Sequence, residues 1–152
     1  MLTLPYNYST VQLYHDIYGG IRMATVSEFS KTADWKNEKH VPVIETPTSL
    51  KKGEMNSITV TVGKEIAHPN TTEHFIGWIA LFFKPENDNN LYSLGKATFD
   101  AHGASAEGAN TLAVLTEPSV VFNVKLDMSG TLIAQSWCTI HGIWEYSLDI
   151  TL

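Results

Sequence analysis

The sequence predicts an all-β fold, an antiparallel β-sandwich, and three observations predict it. From about residue 55 onward, short segments rich in β-branched and aromatic residues succeed one another. One of them, "SITVTV" (57–62), alternates polar and apolar residues strictly, the period of a strand with one face buried. Turn-forming clusters such as "ENDNN" (86–90) and Met128-Ser129-Gly130 separate the segments.

Residues 1–22 differ in texture from the rest of the chain. They are tyrosine-rich, with Val11, Tyr14, Tyr18 and Ile21 at helical spacing and Gly19-Gly20 shortly before Met23. Two expectations arise: a short helix docked on the domain or on a partner subunit, or a leader encoded ahead of a true start at Met23. The chain therefore divides into an N-terminal extension, 1–22, and a single domain, 23–152. In that domain "SITVTV" is succeeded by "FIGWIALFF" (75–83), a continuous apolar run that suits a buried strand, and by "LYSLGKATF" (91–99). The segment "SVVFNVKLDMSGTLIAQSW" (119–137) folds back at Met128-Ser129-Gly130. The last segment, "WEYSLDITL" (144–152), sets Trp144, Tyr146, Leu148, Ile150 and Leu152 on one face.

A chain of 152 residues is long enough to bury a core as one domain without a disulfide or metal to support it. With 43% hydrophobic and 17% charged residues the composition is that of a soluble globule. The run at 75–83 is too short to span a bilayer, and "MLTLPYNYST" lacks the basic and apolar regions of a secretory signal. One cysteine allows no internal disulfide, which fits a reducing, cytoplasmic setting. There, the sequon Asn70-Thr71-Thr72 carries no meaning. A net charge of −6 without a Lys or Arg block argues against a nucleic-acid surface. Any anionic ligand must be drawn in by local positive charge.

The chemistry-bearing residues fall in three loop-like stretches. "SWCTIHGIW" (136–144) places Cys138 three positions before His141 in a turn whose N–H groups, near Ile140 and His141, face the sulfur, with Gly142 allowing the close fold. "HPNTTEH" places His68 and His74 six positions apart, roughly 20 Å if extended. Pro69-Asn70-Thr71-Thr72 is made of turn formers, so a loop that brings them together is expected. "NEKHVP" (37–42) contributes His40, in an irregular stretch held extended by Pro42. His15 and His102 lie outside these stretches and read as bystanders, with a supporting role behind the others as the lesser alternative for His102, in the loop "DAHGAS". Four imidazoles and one thiolate exceed the four ligands of a structural zinc site and suit a redox metal with an open position. A blue-copper site would add an axial methionine, and no Met follows Cys138.

At these residues the sequence resembles the superoxide reductases, in particular the single-iron neelaredoxin type with its desulfoferrodoxin iron-binding domain. The resemblance rests on "EKHVPVIE" (38–45), "VGKEIAHPNTTEHFIGWI" (62–79), "TEPSV" (116–120) and "CTIHGIWE" (138–145), and covers about 27 to 152. It implies an immunoglobulin-like sandwich holding a mononuclear non-haem iron, with His40, His68, His74 and His141 equatorial and Cys138 axial. The four-cysteine rubredoxin-like module of two-iron relatives is excluded by the single Cys. Ala67, Phe75, Gly77 and Trp137 depart from the family's usual residues, and none of them is an implied ligand.

The implied reaction is one-electron reduction of superoxide to hydrogen peroxide. Lys39 is the implied cation that attracts the substrate, and Glu38 the implied sixth ligand of the oxidised iron, both on a mobile loop. The family further implies rubredoxin as electron donor and a homotetramer. Trp35, Trp78, Trp137 and Trp144 are expected to fill core and shield the site. Two rival classes stand beside this one: a cupredoxin-like electron-transfer protein, and a non-enzymatic sandwich module with structural zinc, which would leave "EKHVP" without a purpose.

Overall fold

The structure, a computed structural model, describes residues 24–152. The expected helix through Val11–Ile21, the leader ending before Met23 and His15 lie outside the described residues.

After a four-residue helical turn, α1 (Val26–Phe29), the chain forms seven strands: β1 (Pro42–Glu45), β2 (Met55–Val62), β3 (Ile76–Pro85), β4 (Tyr92–Thr98), β5 (Ser119–Lys125), β6 (Gly130–Cys138) and β7 (Gly142–Ile150). They make two antiparallel sheets of order β1-β2-β5 and β4-β3-β6-β7, the immunoglobulin-like sandwich the sequence led us to expect. Strict alternation in β2 buries Asn56, Ile58, Val60 and Val62 and turns Ser57, Thr59 and Thr61 away from the core. Ile58 and Val60 meet Ile79, Leu81, Leu132 and Ala134 of the facing sheet in one cluster.

Two details depart from the sequence reading. The stretch after His40 is a strand, because Pro42 begins β1 opposite Val62 and Glu45 ends it opposite Thr59; a proline is tolerated at the first residue of an edge strand. The fold-back near Met128-Ser129-Gly130 is present, but it makes no hairpin. β5 pairs with β2, and β6 pairs with β3 and β7, so this turn carries the chain between the sheets. Phe122, Val124 and Leu126 before the turn and Leu132 and Ala134 after it are all buried. They share one core cluster because the turn carries the chain from one sheet to the other.

One irregularity sets the functional end. Ile76 pairs with Cys138 and Trp78 with Trp137, so Gly77 is an extra residue on β3. Because of this bulge, Ile76 and Ile79 both point inward, opposite Cys138 and Ser136, although three positions separate them. A Cβ at Gly77 would lie 2.5 Å from the Trp137 ring. The two departures from the family pattern are thus complementary: a bulky indole covers a position where only a glycine fits. Gly77→Ala is expected to destabilise the protein by about 1–3 kcal/mol through overpacking. In thermal unfolding, the double change with Trp137→Ala should cost less than the sum of the singles.

Candidate metal centre

The beginning of β1, the end of β2, the beginning of β3, the end of β6 and the beginning of β7 lie at the same end of the sandwich, as the pairs Pro42 with Val62, Ile76 with Cys138 and Cys138 with Gly142 require. Three loops with the candidate ligands leave from there. The His40 carbonyl accepts the buried Ser136 hydroxyl at 3.0 Å, which ties the first loop to β6 two residues before Cys138. Gly63, at φ +81°, turns the chain out of β2; a Cβ there would stand 2.7 Å from the His68 nitrogen, so the close approach of the 63–68 segment needs glycine. The 68–74 loop closes on itself through Thr71 N–H to the His74 carbonyl at 3.1 Å and His74 N–H to Thr71 Oγ1 at 3.1 Å. The Cys138–Gly142 turn ends in Gly142 at φ +79°, and His141 N–H donates to Cys138 Sγ at 3.4 Å. It is joined to the residue after His74 by Thr139 N–H to the Phe75 carbonyl at 3.1 Å.

These loops bring all five sequence-predicted ligands together. Ligand atoms of His40, His68, His74 and Cys138 lie within 4.8 Å of one another. His141 joins them, with Nδ1 2.9 Å from His40 Nε2 and 3.4 Å from Cys138 Sγ. The four rings form a circuit with centroid separations of 4.9 Å (His40–His68), 4.7 Å (His68–His74), 4.9 Å (His74–His141) and 4.4 Å (His141–His40). Across this circuit His40 and His74 are 6.1 Å apart. Four similar edges and a longer diagonal describe a near-square. A tetrahedral set would make all pairs alike. Cys138, fully buried, is the fifth member.

The donor chemistry fits a cation. His40 Nδ1 is 2.5 Å from Glu38 Oε1 and His68 Nδ1 is 2.7 Å from the Pro69 carbonyl. Both oxygens only accept, so those nitrogens carry the protons and the Nε2 lone pairs are left to face the cluster. His68 Nε2 and His74 Nε2 are buried with no protein partner among the described residues. Two nitrogens about 2.0–2.1 Å from a common ion at a right angle stand about 2.9 Å apart, which is the spacing of His40 Nε2 and His141 Nδ1.

Electrostatics favours the neutral, ligating form of His40, His68 and His74. Burial, helped by the neighbouring charges of His40, His74 and Lys39, pushes His68 down to about 4 despite its bond to the Pro69 carbonyl. Burial lowers His74 and, against the opposing pull of Glu38, His40. Burial works against the Glu38 carboxylate, but hydrogen bonds from the His40 ring and backbone hold it below its ordinary value. Lys39, half-buried, places its charge where His40, His68 and His74 all respond to it. Glu38 stands on the outer side of the His40 ring, as the acceptor that orients it. Trp144 stacks on the same ring at 5.0 Å, the shielding role expected of it.

Several supporting residues escaped sequence reasoning. Ser136 had a signal: it interrupts the inward apolar series Leu132, Ala134, Cys138 on β6. Asn110, at φ +57°, accepts the Thr72 N–H at 2.9 Å and donates to Glu73, pinning the 68–74 loop. Lys31 donates from Nζ to the His141 carbonyl at 3.0 Å. No local pattern marked either of these.

Comparison with known proteins agrees with this geometry. The family model described as Desulfoferrodoxin matches residues 32–147. The superoxide reductase of Pyrococcus furiosus is 51% identical over 125 residues, 82% of this chain and 98% of that protein. The neelaredoxin of Megalodesulfovibrio gigas is 49% identical over 122 residues, 80% of this chain and 94% of that protein. Among solved structures, the reduced superoxide reductase (neelaredoxin) of Archaeoglobus fulgidus superimposes with a TM-score of 0.77 at 51% identity, covering 82% of this chain and 99% of that one.

The His68 shift has a consequence for pH. The unfolded chain takes up a proton at an ordinary histidine value near 6.5, the folded chain only near 4. Between the two the unfolded state binds more protons, so stability is fully present above about 6.5 and falls as pH drops toward 4. Thermal unfolding of the metal-stripped protein across that window should show Tm falling with pH, with a shallower slope in His68→Gln. Equal slopes would contradict a buried neutral His68.

Proposed function

The chain belongs to the desulfoferrodoxin family, and on that premise we propose that it is a superoxide reductase, which takes superoxide, one electron and two protons to hydrogen peroxide. The observation that carries the reading is the near-square of four imidazoles beside a buried cysteine sulfur. His40, His68, His74 and His141 hold the iron through nitrogen and Cys138 through sulfur. Bound iron supplies the single electron, and the thiolate supplies electron density that favours giving it up.

The rest is the work of the chain. Superoxide is an anion approaching a protein of net charge −6, so it needs a local cation, and Lys39 is that cation. Its ammonium also holds a proton at Nζ beside the incoming oxygen and orders water for the second. Glu38 fixes the ring of His40 through Nδ1, and the family resemblance implies that its carboxylate would also bind the metal once oxidised. A tetrahedral zinc module is disfavoured by the square of rings. Rubredoxin as electron donor, a homotetramer and a cytoplasmic location complete the proposal; they rest on the resemblance and on the single cysteine. No helix among the described residues is long and apolar enough to cross a membrane.

The reaction class is tested by stoichiometry. With a reductant present, one peroxide should appear per superoxide consumed and no dioxygen; a yield of one peroxide per two superoxides, with dioxygen, would mean dismutation instead. Lys39→Ala should lower the second-order rate with superoxide about tenfold or more at low salt, with iron content unchanged. That deficit should shrink as ionic strength rises, and a rate equal to wild type at low salt would refute steering. In Cys138→Ser the thiolate-to-iron absorption of the oxidised protein should vanish, with most of the activity.

A further inference from the structure

His102 is a buried histidine, 7% exposed, in the connection between β4 and β5, and the reduction of superoxide leaves it without a task. Its ring grips three parts of the structure. Nδ1 is 2.6 Å from Asn70 Oδ1 and Nε2 is 2.6 Å from the Phe99 carbonyl. Its face stacks on Phe75 with centroids 3.6 Å apart and planes inclined by 17°. The Asn70 amide is oriented from its other end, where Nδ2 donates to the Thr116 carbonyl at 3.2 Å, so Oδ1 is the atom turned to His102. Both ring nitrogens therefore face oxygen acceptors on two different segments of the chain.

The positions of these partners give the contact its meaning. Asn70 comes two residues after His68, and Phe75 immediately after His74. One ring thus holds the start of the 68–74 loop through a hydrogen bond and its end through a stack. The anchor is rigid: Phe99 N–H donates to the Gly77 carbonyl at 3.0 Å, at the bulge that sets Ile76 opposite Cys138. A histidine that merely filled core would need its own polar atoms satisfied, and any partners would serve.

We infer that His102 is a positioning residue of the metal centre, a buried clamp that holds the 68–74 loop, and with it the His68 and His74 imidazoles, in register with Cys138. The inference rests on the assignment of His68 and His74 to the metal. Loosening the clamp lets the loop open locally and lose its ion while the sandwich stays folded.

The test uses the iron-loaded protein and monitors transfer of ferrous iron to a coloured chelator, well below the unfolding transition, with Tm measured alongside. His102→Phe keeps the ring and its stack and removes both hydrogen bonds; iron release should be about tenfold faster. Asn70→Ala should act in the same direction, and the double variant should release iron no faster than the faster single, because both changes cut the same link. Asn56→Ala is the control. That buried amide binds the Lys51 backbone through both its ends at 2.9 Å, at the far end of β2, so it should lower Tm and leave iron release unchanged. If His102→Phe does not fold, Asn70→Ala and Phe75→Leu report the same rate from the loop side. A His102→Phe protein that loses Tm as the control does, with iron release as in wild type, would overturn the clamp. A wild-type protein that takes up no iron would remove the centre itself, and the clamp with it.

Discussion

Lone pairs that no protein donor satisfies are the constraint on which this structure depends. His68 Nε2 and His74 Nε2 are buried and unpartnered among the described residues, while His40 Nε2 and His141 Nδ1 have each other and the Cys138 sulfur for partners. Each unpaired buried polar atom costs about 1–3 kcal/mol, and protonating the rings would set like charges against one another in a desolvated space. A cation reverses the sign of every one of these terms. Folding and metal binding are therefore coupled: the fold holds the lone pairs together against their preference, and the ion makes that arrangement favourable.

The sandwich holds them by ending its strands in the same place. Cys138 is both the last residue of β6 and a core residue, packed with Ile76, Ile79 and Ala134. Its sulfur cannot move without disturbing the apolar cluster. The imidazoles are held less directly, through Ser136 on the His40 carbonyl, Thr139 on the Phe75 backbone and Asn110 on the 68–74 loop. A rigid cysteine sulfur with imidazoles on hydrogen-bonded loops is an arrangement that keeps one ligand fixed while substrate and solvent approach the others.

Much of this was legible in the sequence because it is local. Alternation marked β2, an apolar run marked β3, and turn formers between His68 and His74 indicated a loop where an extended chain would have kept the two apart. The spacing of Cys138, His141 and Gly142 foretold a tight turn with the His141 N–H on the sulfur. What was not legible is set by partners far along the chain. His102 read as a bystander because Asn70 lies 32 residues away, and the turn after β5 read as a plain reversal because the pairing of β6 with β3 is not written near it. Gly77 and Trp137 looked like two unrelated departures until the bulge placed one over the other.

The central claim is that these five side chains share one ion. X-ray absorption at the iron edge of the loaded protein tests it most directly. The account predicts a first shell of one sulfur and nitrogen-donor scatterers with the multiple-scattering pattern of several imidazoles. A shell without sulfur, or one of oxygen donors without imidazole, would contradict it.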